Sequence, residues 1–148
     1  MNRYFVDANV LLDALLERPD HSEGAIALLA MGARGEVRLL TTPISIAVVL
    51  YHLQRSYADK KGLRLQQAQR ILSDLLACVE LASVETEHFQ KSIASGFGDL
   101  EDGAQYWAVV GAGTLDAVVS REPDYDGHIG VKRISAKQAV RMVKRKRK

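Results

Sequence analysis

A chain with one cysteine cannot close a disulfide on itself, and Cys78 is the only one here. It lies in the apolar stretch from Leu75 to Val79, which favours a buried, inert thiol over a nucleophile. No cysteine and histidine spacing suited to zinc occurs. No apolar run approaches the length a bilayer crossing needs. The N-terminus opens directly on a strand pattern, so neither a leader nor a membrane partner is expected, and the chain reads as cytoplasmic. Internal repeats and low-complexity linkers are missing too, and 148 residues suit one domain with a substantial core.

Acidic residues are missing from one end. From Lys132 to Lys148 there are nine basic residues and no acidic one, while the preceding 131 residues hold 11 basic against 18 acidic. The net charge of +2 therefore conceals an acidic body and a basic tail. Such a tail suits a polyanion, or serves solubility alone. The division expected is a domain over 1–140 and a basic tail over 141–148, with the last residues frayed by like-charge repulsion and little apolar surface from Val140, Met142 and Val143.

What is present alternates between two periods. Arg3 to Val6 reads as a buried strand, followed by a helix that Pro19 ends. Ser22 is placed to cap a second helix, which Gly32 and Gly35 stop. Val37 to Leu40 reads as a strand, and Thr41 or Thr42 caps a third helix that opens at Pro43 and runs to about Gln54. Asp59 to Gly62 reads as a polar loop, and Leu65 to Cys78 as a helix. Then come a brief strand at Glu80 to Ala82 and helices at Thr86 to Ser95 and Leu100 to Val110. A strand follows at Ala117 to Val119, then an edge strand at Val131 to Ile134 and a helix from Ala136. Short strands alternating with helices define an α/β class: three layers, α/β/α, around a short central parallel sheet.

In such a sheet, function collects beyond the C-terminal strand ends. Asp7 directly follows the first strand. Glu122 and Asp124 follow the strand ending at Val119. Asp99 and Asp102 open the helix from Leu100 and, three apart, share a face. A cluster of like charges is costly unless a cation neutralises it, and oxygen ligands suit Mg²⁺ or Mn²⁺. Each group also has a plainer role open to it. Asp7 and Asp99 suit helix N-caps, Asp102 suits the helix dipole, and Glu122 and Asp124 flank Pro123 as turn residues. Asp116 reads as a turn residue.

Four segments resemble PIN domains in the right order. Phe5-Val6-Asp7-Ala8-Asn9-Val10-Leu11-Leu12-Asp13 is similar to the family's opening, where the first catalytic aspartate ends strand one. Thr42-Pro43-Ile44-Ser45 opens the third helix. Gly98-Asp99-Leu100-Glu101-Asp102-Gly103-Ala104-Gln105-Tyr106 resembles the segment carrying the central aspartate. Ala117-Val118-Val119-Ser120-Arg121-Glu122 resembles the late strand and its turn. The likeness spans nearly the whole chain. It implies a metal-dependent ribonuclease of the kind found as VapC-type toxins, with Mg²⁺ or Mn²⁺ as cofactor and RNA as substrate. An antitoxin protein and a second copy of the chain are the implied partners.

By the same resemblance Asp7, Asp102, Asp99 and Glu122 form the catalytic set, with Asp124 a further metal ligand. Ser120, Arg121, Lys144, Arg145, Lys146, Arg147 and Lys148 are the candidate contacts to nucleic acid. Tyr106 and Trp107 are adjacent on a helix and are expected to pack rather than stack on bases. One departure stands out. The family often carries a glutamate near position 48, whereas Ala47, Val48 and Val49 are apolar here, unless Glu101 or Asp99 substitutes. The alternative reading is therefore an inactive module of the same fold that binds nucleic acid or a protein. A doubly wound phosphoacceptor domain fits less well, because Val119 leads into Ser120-Arg121 rather than a lysine.

Overall fold

The structure, a computed structural model, describes residues 1–56, 61–127 and 130–148, with backbone alone at 61–64. Five strands form one parallel sheet in the order β3-β2-β1-β4-β5. They are β1 (Arg3–Val6), β2 (Arg38–Thr41), β3 (Glu80–Leu81), β4 (Ala117–Val119) and β5 (Lys132–Ile134). In the register, Phe5 pairs with Leu40 on one side and Val118 on the other. Helices α1 (Ala8–Leu15), α2 (Ser22–Ala33), α3 (Pro43–Ser56) and α4 (Lys61–Cys78) precede β3, and α5 (Thr86–Ala94) and α6 (Leu100–Gly111) precede β4. A 3-10 turn spans Pro123–Tyr125, and α7 (Ala136–Lys146) closes the chain.

Alternation along β1 explains the layering, because successive strand side chains point to opposite faces. Tyr4 and Val6 enter a core built with residues of α1, α2, α3, α4 and α7. Phe5 enters the opposite core with Tyr106 and Val109 of α6, Phe97 and Tyr125. With both faces covered, the central strands can be apolar throughout, and the result is the expected three-layer α/β/α domain.

Element boundaries depart from the sequence expectation where capping differs. Ser22 is not a cap: it is the first residue of α2, His21 precedes it, and no side chain caps that end. Thr42 does serve α3, its hydroxyl accepting from the Ser45 amide at 3.4 Å. Helix α4 begins at Lys61, so the expected loop at Asp59 to Gly62 ends earlier; residues 59 and 60 lie outside the described residues. Cys78 is half-buried rather than buried; its thiol donates to the Asp74 carbonyl and burial raises its pKa, which keeps it inert.

The expected division at 140/141 falls inside α7. Ser135 and Gln138 form a reciprocal cap that starts the helix, which then continues to Lys146. Val143 is 1% exposed and joins Ala139 and Val140 in the core, so α7 has more apolar surface than Val140, Met142 and Val143 suggested. Lys146 reaches Asp116 at 3.9 Å and Arg147 reaches Glu36 at 2.8 Å. On the other face, α5 and α6 approach closely through Gly103. A Cβ there would meet the Ser92 and Phe97 side chains at under 3 Å, so only glycine fits without a shift.

Candidate metal centre

The strand order reverses direction at β1: the chain moves to β2 on one side and later to β4 on the other. Crevices at such switch points, beyond the strand ends, are where open α/β sheets bind ligands. Asp7 leaves β1 at this point and Ser120 leaves β4 beside it. The Ser120 hydroxyl donates to Asp7 Oδ2 at 2.8 Å and accepts from the Glu122 amide at 2.9 Å. Asp7 Oδ1 accepts from the Ala8 amide at 2.8 Å, so Asp7 also caps α1. Both oxygens of Asp7 are thereby oriented before any ligand arrives.

Helix α6 delivers the second group. Asp99 is its N-cap, accepting from the Asp102 amide at 3.0 Å. The 3-10 turn delivers Asp124. One carboxylate oxygen from each of Asp99, Asp102 and Asp124 lies within 4.8 Å of the others. Asp7 and Glu122 stand outside that triple, yet their charges both act on Asp102. Asn9 donates to Glu122 Oε1 at 3.1 Å and holds it toward the site. The carboxylates singled out in the sequence thus converge from three segments. Asp116 does not join them; it accepts from the Arg3 amide as a turn residue.

Convergence is electrostatically costly. Burial, then the charges of Asp7, Asp99 and Glu122, push the Asp102 carboxyl up to about 7, while the Tyr125 hydroxyl pulls the other way. Burial likewise raises Asp7, against the Ser120 and Ala8 hydrogen bonds that lower it. The Tyr125 hydroxyl lies close enough to Asp102 to interact, but it is sealed from water and meets no partner in good hydrogen-bond geometry. A small divalent cation fits this donor set. The ligands are all oxygen, and oxygens opposite one another around an ion at 2.0–2.1 Å stand roughly 4.2 Å apart. Asp99, Asp102 and Asp124 would hold the ion, with Asp7 and Glu122 at its border.

Two sequence candidates for nucleic-acid contact have other partners. Ser120 is 1% exposed, and its hydroxyl donates its one proton to the Asp7 carboxylate while accepting from the Glu122 backbone amide. Arg121 grips Asp13 through two bonds of 2.9 and 2.8 Å, and Arg18 approaches the same carboxylate at 3.5 Å. Asp13, itself 2% exposed, was not singled out in the sequence. The signal was there: a lone charge in Val10-Leu11-Leu12-Asp13-Ala14 needs a partner if buried. Asn9 and Tyr125 were likewise missed. Tyr106 is buried, and Trp107 donates to Ser95 Oγ at 3.0 Å, so both pack as expected.

Fold and site together define a doubly wound α/β domain with an acidic, cation-ready centre at its switch point. The chain belongs to the PIN domain family, whose sequence model matches residues 3–124. Among solved structures it is similar to a chain of VapBC2 from Rickettsia felis, bound there to a DNA fragment from the promoter. The TM-score is 0.63 at 14% identity, covering 90% of this chain and 98% of that one. At such identity the likeness establishes the fold. No curated protein sequence matches the chain.

Proposed function

We propose that this chain is a divalent-cation-dependent endoribonuclease acting in the cytoplasm as the toxin of a toxin–antitoxin pair. The observation that carries the reading is the convergence of Asp99, Asp102 and Asp124 beside Asp7 at the switch point of a PIN domain. Bound there, Mg²⁺ or Mn²⁺ supplies a Lewis acid that activates water and offsets charge on the scissile phosphate. Asp102 must release its proton to act as a ligand, and Ser120 keeps Asp7 aimed while it does. Arg121 and Arg18 share the single carboxylate of Asp13, and their part-exposed guanidinium groups suit an incoming phosphate. The fold likeness to VapBC2 supports an antitoxin as partner, and a second copy of the chain is the other. Phe89 and Ile93, exposed one turn apart on α5, offer such a protein apolar surface.

Cleavage of RNA should require Mg²⁺ or Mn²⁺ and stop with EDTA. Cleavage that persists after chelation would sink the metal role. One observation favours a second reading, an inactive module that binds nucleic acid or protein. Helix α3 carries no acidic residue near Val48, and among the described residues no carboxylate stands there in the site. At the start of α3 stands a neutral buried group instead, with the Thr42 and Ser45 hydroxyls both donating to Gln105 Oε1. No turnover on any RNA, with Mn²⁺ binding intact, would establish that module.

Removing residues 144–148 should weaken RNA binding most at low salt and flatten its salt dependence, by roughly 0.7 in log–log slope for each phosphate no longer neutralised. The melting temperature should stay nearly unchanged, because the pairs of Lys146 and Arg147 are exposed on their basic side and surface pairs of that kind contribute little. Unfolding on truncation would show that α7 depends on its last turn. An unaltered salt slope would reduce the tail to a solubility feature.

A further inference from the structure

Helix α7 carries its positive charge on two faces with different fates. Lys146 and Arg147 turn onto the body and meet Asp116 and Glu36. Lys137, Arg141 and Lys144 recur at intervals of four and three, so they share one face of the helix. All three are exposed, and no ion pair engages them among the described residues. They border an open groove of about 320 Å³ between α7 and α2, floored by Gly24, Ala27 and Val140, in which Glu23 is the carboxylate. Gly24 makes the close approach possible: a Cβ there would stand 2.8 Å from the Lys137 side chain.

From Lys137 the stripe leads toward Arg121, one residue from Ser120 and the Asp7 carboxylate it holds. A second depression joins Lys137 to His21, Asp13, Asp20 and Arg121, the arginine that follows Ser120 and that Asp13 pairs. From Lys137 to Lys144 the helix advances roughly 10 Å at about 1.5 Å per residue. That matches about three nucleotide steps of a stacked strand at about 3.4 Å per nucleotide. The rest of the surface discourages a polyanion, because residues 1–131 hold 18 acidic against 11 basic residues.

We infer that the α2–α7 groove is a track for the sugar–phosphate backbone of an RNA strand, with Lys137, Arg141 and Lys144 holding the flank that leaves the metal centre past Arg121. The inference rests on the nuclease reading and adds to it where the substrate lies and which cations hold it. Lys137 and Arg141 lie outside the terminal run of charge, and the spacing along the helix rather than the density of charge selects them. Contacts of this kind fix the position of the strand without reading its bases.

The test is fluorescence anisotropy of a short labelled oligouridylate, in EDTA, across roughly 50 to 200 mM salt. Lys137→Ala with Arg141→Ala is compared with Arg70→Ala with Lys91→Ala, which removes the same charge from α4 and α5. The first pair should lower affinity and reduce the log–log slope by roughly 0.7 for each cation removed. The second pair should leave the slope unchanged. Equal losses in the two pairs would mean a general charge effect, and no loss in either would mean no track; both overturn the inference. So would binding that is lost only to phosphatidylserine vesicles, which assigns the stripe to a membrane surface. Binding in EDTA does not depend on turnover. A wild-type protein that binds through the stripe but never cuts RNA with Mg²⁺ fails the nuclease reading alone, and one that cuts while both pairs bind normally fails this inference alone.

Discussion

Metal-free protein should melt roughly 10 °C lower at pH 8 than at pH 5, and Asp102→Asn should remove most of that difference. The cause is the Asp102 carboxyl, whose pKa rises from 3.8 to about 7 in the folded chain. Between about pH 4 and pH 7 the folded state keeps a proton that the unfolded state has already lost. The folded state therefore binds more protons there, and stability falls as pH rises through that window. Each pKa unit is worth about 1.4 kcal/mol, so the full effect is on the order of a few kcal/mol. Burial raises Asp7 as well, with the same sign. Hydrogen bonds from arginines lower Glu36, Glu80 and Asp126, but those groups act below the usual carboxylate range and leave the window untouched. An asparagine at 102 is neutral at every pH, so the variant should be the more stable protein at pH 8 without metal. Mg²⁺ or Mn²⁺ should restore the wild type, by about 2.7 kcal/mol at a hundredfold excess over its dissociation constant, and leave Asp102→Asn little changed. Thermal melts at the two pH values, with and without cation, read all of this. A flat profile in the wild type, or an undiminished pH 8 deficit in the variant, would remove Asp102 as the source.

The parts of this molecule legible in the sequence are those set by local pattern. A three-residue apolar run, Tyr4 to Val6, followed at once by Asp7, specifies a buried strand and the cap of the next helix in one stroke, because both depend on neighbours within a turn. The spacing of Asp99 and Asp102 fixes a cap and a shared face in the same way. What stayed hidden depends on contacts between distant segments. Asp13 and Arg121 are 108 positions apart, and Asn9 and Glu122 are 113 apart. No periodicity reports either pair. Ser120 and Arg121 suggested phosphate contacts because hydroxyls and guanidinium groups do bind phosphate. In the fold each is already engaged by an aspartate that the sheet brings alongside. The C-terminal helix was read by its charge, so Val140 and Val143 were counted as little apolar surface and Ala139, which joins them on the face that the core covers, was passed over. Tyr125 had no signal at all beyond an aromatic residue in a turn, and its place under the carboxylates follows only from the packing of Phe5 and Phe97 against its ring.

Asp7→Asn should cut RNA turnover by about a hundredfold or more while leaving the fold intact. Altering groups that merely support metal ligands typically costs about 10- to 100-fold in affinity or activity, and a carboxylate at the ion's border should cost at least as much. The fold should survive because the amide keeps the shape. Its carbonyl oxygen still accepts from the Ala8 amide, so the cap of α1 is retained. Its amino group takes the place of Oδ2, which obliges the Ser120 hydroxyl to accept where it now donates. That hydroxyl already accepts from the Glu122 amide and has a second lone pair, so the change is geometrically open. Removing a buried negative charge beside Asp99 and Glu122 also relieves repulsion, so the melting temperature without metal should hold or rise. The loss should therefore appear as weakened Mn²⁺ binding, read by calorimetry, together with lost cleavage in a protein whose circular dichroism is unchanged. Ser120→Ala separates positioning from charge: it keeps the carboxylate but frees its orientation, and should lose activity less than Asp7→Asn does. Full cleavage by Asp7→Asn would show that the ion is held by the triple of Asp99, Asp102 and Asp124 alone, and that Asp7 is only the cap of α1.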